Sequence, residues 1–205
     1  FSRTDQTRLA LLARAQRDIG QPTTAAAMCS WVAEAERRID AALVEAVPAA
    51  AELMLTLTPE QLQHIERRMA KGTDELRADF LQPDPAERRA ASFKRSLDRY
   101  ETLYGRLDAT QRERLAALLA ASTFDPERWL AERRLRQREM LQALAAVSAV
   151  GRGSGDRAVA LQQAQAAARL MAERSMRSPR PDYRAYQQRL LQDNCALAAT
   201  MHNLM

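Results

Sequence analysis

Apolar residues in this chain recur every three or four positions and almost never alternate. Leu62, Ile65, Met69, Leu76 and Phe80 form one such stripe, which predicts a helix over about residues 59–81 with that face inward, weakened in the middle by Gly72. Phe93, Leu97, Tyr100 and Tyr104 mark a second helix over about 85–104. Trp31, Ala35, Ile39, Ala42 and Leu43 lie along one face of a third over about 24–47. Pro48 is expected to kink or interrupt it before a further turn or two to about Leu55, because proline removes a donor and clashes with the preceding turn. The same periodicity predicts helices over about 3–19, 109–121 and 126–149, one ending near Met176, and one from Pro181 or Asp182 towards the C-terminus.

The starts of these helices are written more sharply than their interiors. At Thr58-Pro59-Glu60-Gln61, Thr58 suits the cap and Pro59 the first helical position, and the Gln61 side chain can reach back to the cap's own N–H. Leu57 and Leu62 flank the cap as a hydrophobic staple. Asp84-Pro85 and Asp125-Pro126 begin in the same way. At Leu107-Asp108-Ala109-Thr110-Gln111 the cap is Asp108 and the returning amide is Gln111. Arg112 occupies the staple position there, so Leu107 must pack elsewhere, and Gly105 suits the end of the preceding helix. Each Leu-x-x-x-Gln stretch is thus an efficient device for starting a helix.

No run alternates β-branched and aromatic residues as a strand would, so the fold class is all-α: an elongated antiparallel bundle of about seven or eight helices joined by short turns. The 205 residues read as a single helical domain. Gly-Arg-Gly-Ser-Gly-Asp, 151–156, reads as a flexible linker before a C-terminal helical hairpin, 157–205.

Composition supports this picture. The chain is 46% hydrophobic and only 5% aromatic, and leucine and alanine carry the apolar content, which favours helix. The net charge is +5, with Lys71 and Lys94 the only lysines. Arginine is interleaved with Glu and Asp, as in AEAERRID and DPERWLAERRLRQRE. That pattern describes a solvated face of i,i+4 ion pairs rather than a nucleic-acid patch. No apolar stretch approaches the roughly 20 residues of a membrane span.

Catalytic chemistry is sparse. His64 and His202 have no second His or Cys one turn away, Glu34 and Glu36 are flanked by Arg37 and Arg38, and GRGSG follows no strand and precedes no lysine. No enzyme activity, metal or cofactor is expected. Cys29 and Cys195 fit either two buried thiols or a bridge formed in an oxidising compartment. Met54, Met69, Met140, Met171 and Met176 fit either core filling or an adaptable contact surface. Trp129, one turn before Arg133 and Arg134, fits a packed anchor or a binding spot.

Three stretches taken together carry a resemblance: Leu57-Thr58-Pro59-Glu60-Gln61, RSLDRYETLYGRLDATQRERL (95–115), and WLAERRLRQREMLQAL (129–144) followed by SPRPDYRAYQQRLLQDN. In this order they resemble a family of bacterial lipoproteins of unknown function, mostly proteobacterial, over about residues 45–200. Tyr104 stands where that pattern has Trp, and Asp108 where it has Thr or Ser. The resemblance implies a periplasmic protein of a Gram-negative bacterium, held to the membrane by an N-terminal lipid anchor. Neither cysteine here follows a signal-like segment, so neither is the anchor site. Leu57, Thr58 and Gln61, with Leu107 and Gln111, are also similar to the Leu-Thr-x-x-Gln signature of Spy-type periplasmic chaperones. That likeness implies a non-enzymatic helical protein whose partner is another polypeptide, a partly unfolded client, rather than nucleic acid. The alternative is a structural or assembly subunit of a cell-envelope complex with one fixed partner. An extended steric foldase is a weaker third reading, and none of its diagnostic motif residues is present.

Overall fold

A computed structural model describes residues 3–153 and 155–205. They form eight helices: α1 Arg3–Ile19, α2 Ala25–Thr56, α3 Pro59–Phe80, α4 Pro85–Tyr104, α5 Ala109–Ala120, α6 Pro126–Gly153, α7 Arg157–Met176 and α8 Pro181–His202. The all-α bundle is as the periodicity predicts.

Helix α2 organises the rest. At 32 residues it is about 48 Å long. Helices α7 and α8 run antiparallel to it, end to end. Arg157 at the start of α7 pairs with Glu52, Arg177 at its end with Asp40, and Cys195 on α8 meets Cys29. On another side of α2, α6 runs through Gly151, which abuts Leu55. Helix α3 lies antiparallel to α6, in a register set by Arg152 donating to Leu57 O, Thr73 to Gln137 and Phe80 packing on Trp129. The α4–α5 hairpin closes against the far end of α8, where Gln111 donates to Leu204 O and Thr123 to Asp193.

Two hydrophobic cores result. The larger gathers Val47, Ala51, Met54 and Leu55 of α2, Leu57 just after it, Leu144 and Val147 of α6, and the alanines 160, 164 and 168 of α7, with Leu62 and Ile65 against it. The alanine stripe explains how α7 approaches α2 so closely. The smaller gathers Leu107, Leu115 and Met201 with Phe93, Leu97 and Tyr100.

Three expectations change. Pro48 does not interrupt α2, which runs through it to Thr56. Pro48 is exposed, so the carbonyl it leaves without a partner can be hydrated. The face marked by Ala35, Ile39 and Ala42 is exposed, and the buried face of α2 is carried by Val47, Ala51, Met54 and Leu55. Helix α6 continues past residue 149 through Gly153, so the first half of the expected linker is helical; Ser154 lies outside the described residues. Finally, Glu132, in a run read as a solvated face, is buried.

The cysteines are joined. The Cα atoms of Cys29 and Cys195 lie 5.4 Å apart and the pair is a disulfide across 166 residues of sequence, fastening the start of α2 to the end of α8. Asn203 adds a second fastening there, accepting from Thr23 N at 2.8 Å and donating to Thr23 O at 2.9 Å.

Candidate functional site

The two Leu-x-x-x-Gln stretches are completed as helix starts. Thr58 Oγ1 accepts from Gln61 N at 3.3 Å while Gln61 Oε1 accepts from Thr58 N at 2.9 Å. Asp108 and Gln111 repeat the exchange at 2.8 and 2.9 Å. Leu57 lies in the larger core and Leu107 in the smaller. Gly105 ends α4 with φ at +83°, a conformation that favours glycine. The structure therefore does not bring these seven residues together. The side chains of Thr58, Gln61, Asp108 and Gln111 are engaged in capping, and Leu57 and Leu107 are buried.

Trp129 and Arg133 stand elsewhere, on a groove between α6 and α7. From α6 it is lined by Trp129, Arg133, Arg136, Met140 and Ala143, spaced four, three, four and three residues apart along one helix face. From α7, Ala167, Leu170, Met171 and Arg174 face them. The groove holds about 350 Å³, within the range of ligand clefts. Leu170 on its lip is 45% exposed. At one end Trp129 is half-buried, its ring 5.2 Å from Phe80 and 6.1 Å from Phe124. It is thus both a packed anchor and part of the groove wall.

Of the five methionines singled out by sequence, Met54 is core and Met69, Met140, Met171 and Met176 are half-buried. Met140 and Met171 supply the groove's flexible apolar floor, since a thioether side chain adapts to irregular shapes.

The groove's rim is cationic: three guanidinium groups, Arg133, Arg136 and Arg174, stand against one carboxylate, Glu139. Arg136 is engaged, 3.6 Å from Glu132 and donating to Ser175 O at 3.0 Å. Arg174 approaches Glu139 no closer than 3.9 Å. Glu139 is itself held by Arg180 at 2.8 Å. Among the described residues Arg133 has no ion pair or hydrogen-bond partner, and its Nε is buried without an acceptor.

Behind the groove a buried network fixes α6 to the α7–α8 corner. Glu132, 3% exposed, accepts from Ser178 Oγ at 2.6 Å and from Arg180 Nε at 2.6 Å and Nη2 at 3.1 Å. Burial pushes the Glu132 carboxyl up, but hydrogen bonds from Arg180 and Ser178 and the charges of Arg180 and Arg136 outweigh it and hold the group below the ordinary glutamate range. The Glu132 hydrogen bond in turn raises the pKa of Arg180.

The histidines are unalike. His64 is exposed, whereas His202 Nδ1 meets Tyr104 Oη at 2.8 Å and its Nε2 meets Gln21 O at 3.0 Å, so the ring carries its proton on Nε2. Glu34 is paired with Arg37 and Arg38 at 2.5 and 2.8 Å on the surface. Among the described residues no three His, Cys, Asp or Glu side chains converge as a metal ion would require, and no single helix is long and apolar enough to cross a membrane.

A profile of a family of unknown function matches residues 12–166, well over half of the chain. No curated protein and no solved structure matches it.

Proposed function

We propose that this chain, which belongs to the family of unknown function DUF6279, is a non-enzymatic, lipid-anchored protein of the bacterial periplasm that binds other polypeptides, as a chaperone does. The observation that carries the reading is the α6–α7 groove, with a Trp, Leu and Met interior beneath an arginine rim. Such a surface takes exposed apolar side chains from many sequences because methionine and leucine repack around each one, while arginine draws in acidic segments over a longer range. The disulfide supports an oxidising compartment, where such bonds form and persist. The similarity to Spy-type chaperones supports the reading less, because the motif residues that carry it are occupied in capping.

Light scattering of an aggregating, unfolded protein tests this, with and without the chain at equal molar amounts. Suppression that weakens in high salt and is lost in Met171→Glu supports client binding at the groove. No suppression across several unrelated clients overturns a general chaperone role.

A second reading, a subunit of an envelope assembly with one fixed partner, is favoured by the outer face of α2. Val32, Ile39 and Leu53, respectively 37%, 47% and 63% exposed, line up with Ala35, Ala42, Ala46 and Ala49 at spacings of three and four residues. Crosslinking in the native cell from cysteine placed at Ile39 separates the two readings. One discrete adduct from Ile39 favours the assembly subunit, whereas no adduct there, with a distribution of adducts from a second cysteine placed at Leu170 on the groove, favours transient clients.

A further inference from the structure

We infer that the α6–α7 groove selects polypeptide segments in which a carboxylate lies beside a large apolar side chain, and that Arg133 is the group that reads the carboxylate. The inference rests on the polypeptide-binding reading above and specifies which segments are bound.

The charges of the groove point to an acidic occupant. Arg133, Arg136, Arg174 and the adjoining Arg180 are four cations, and Glu132 and Glu139 are two anions. The cluster therefore holds two positive charges in excess. Those charges are not distributed evenly. Arg180 is bound to Glu132 and Glu139, Arg136 to Glu132 and the Ser175 carbonyl, and Arg174 stands 3.9 Å from Glu139. Arg133 alone of the four has neither an ion pair nor a hydrogen bond among the described residues.

A guanidinium without an acceptor beside low-dielectric walls is costly, and a carboxylate that accepts from its Nη groups offsets part of that cost while fixing its own orientation. One turn before Arg133 on the same face stands the Trp129 ring, and about two turns beyond Arg133 lies Met140. A segment whose acid meets Arg133 thus sets a neighbouring leucine or phenylalanine over Met140, Ala143 and Met171, where the volume of about 350 Å³ accommodates it. A basic segment meets the same apolar floor and is repelled by the rim.

The experiment uses the full chain and two fluorescein-labelled peptides of one sequence, leucine and phenylalanine flanked either by glutamates or by glutamines, followed by anisotropy. The glutamate peptide is expected to bind at least about tenfold more tightly than the glutamine peptide. Arg133→Met, which keeps the apolar stem, is expected to erase that difference by weakening only the glutamate peptide. Arg133→Lys restores it in part, because a lysine supplies charge without the fork. An unchanged thermal melt for both variants shows that the loss is not unfolding.

Equal binding of both peptides overturns the carboxylate selection and leaves polypeptide binding standing. Suppression of aggregation without binding of either peptide overturns the groove as the site but not the chaperone reading. Absence of both effects overturns both. Displacement of the glutamate peptide by a lower concentration of dodecanoate than of unlabelled peptide also overturns the inference, since the occupant is then a free amphiphilic acid.

Discussion

Gly151 of α6 rests directly on the backbone of Leu55 of α2. A Cβ on residue 151 would fall 3.0 Å from both the Cα and the carbonyl carbon of Leu55, and closer still to its oxygen. Sequence marks this glycine as part of a flexible stretch, but its lack of a side chain is what lets two long helices touch.

Gly151→Ala therefore inverts the usual helix rule. Alanine in a helix is ordinarily better than glycine by up to about 1 kcal/mol. Here the methyl group must displace a backbone, and a loss of about 1–3 kcal/mol is expected. Gly153→Ala, with open space around it, is the control and should be neutral or mildly stabilising. Urea midpoints of the two variants measure the difference. Equal midpoints would show that α2 and α6 shift apart without cost.

Glu132 and Arg180 form the second test. Removing one partner leaves a charge in a buried site, so Glu132→Gln should cost about 3 kcal/mol near neutral pH. The pH dependence follows from the depressed carboxyl. Its folded pKa lies below its unfolded one, so its contribution is complete above about pH 4.3 and is lost as pH falls through the folded value. Urea melts from neutral pH down to pH 3 should show a steeper acid decline in the parent chain than in Glu132→Gln.

The Cys29–Cys195 bond closes a loop of 166 residues, for which chain entropy assigns roughly 5 kcal/mol. Reduction should lower the urea midpoint and speed amide exchange at the start of α2 and the end of α8. The α6–α7 groove, which lies in the other half of the bundle, should keep its protection. Uniform loss of protection would mean that the two cores unfold as one unit.

The two capping boxes should differ. Thr58→Ala and Asp108→Ala should each cost about 1 kcal/mol. Gln111→Ala should cost more than Gln61→Ala, because Gln111 Nε2 also donates to Leu204 O and so holds the C-terminus. Paired thermal melts resolve this, and equal losses would remove any role for the Leu204 contact.

What sequence could reveal follows the range of each interaction. Caps at Thr58, Asp84, Asp108 and Asp125 act within four residues, and the helix starts they mark are where the chain places them. The buried face of α2 was not legible, because α2 is apolar on two sides. Ile39 and Leu53 compete with Val47 and Met54 for the same periodicity, and only the packing of α6 and α7 decides between them. Glu132 looked like its charged neighbours because its partner, Arg180, lies 48 residues away. The groove was half visible. Trp129 and Arg133 stood out, but Leu170 and Met171 join them only once α7 folds back on α6. The pairing of the cysteines likewise rests on α8 returning to the start of α2.

That closure also sets how the molecule would carry load. A pull applied at residues 1 and 205 enters at Cys29, crosses a covalent bond and leaves at Cys195. Helices α3 to α7, the larger hydrophobic core and the groove lie inside the bypassed loop and bear no tension, whereas Leu197 and Met201 of the smaller core lie beyond Cys195. Only α1, the first turn of α2 and the residues after Cys195 extend under force, so the α6–α7 groove keeps its shape under tension until the bridge is reduced.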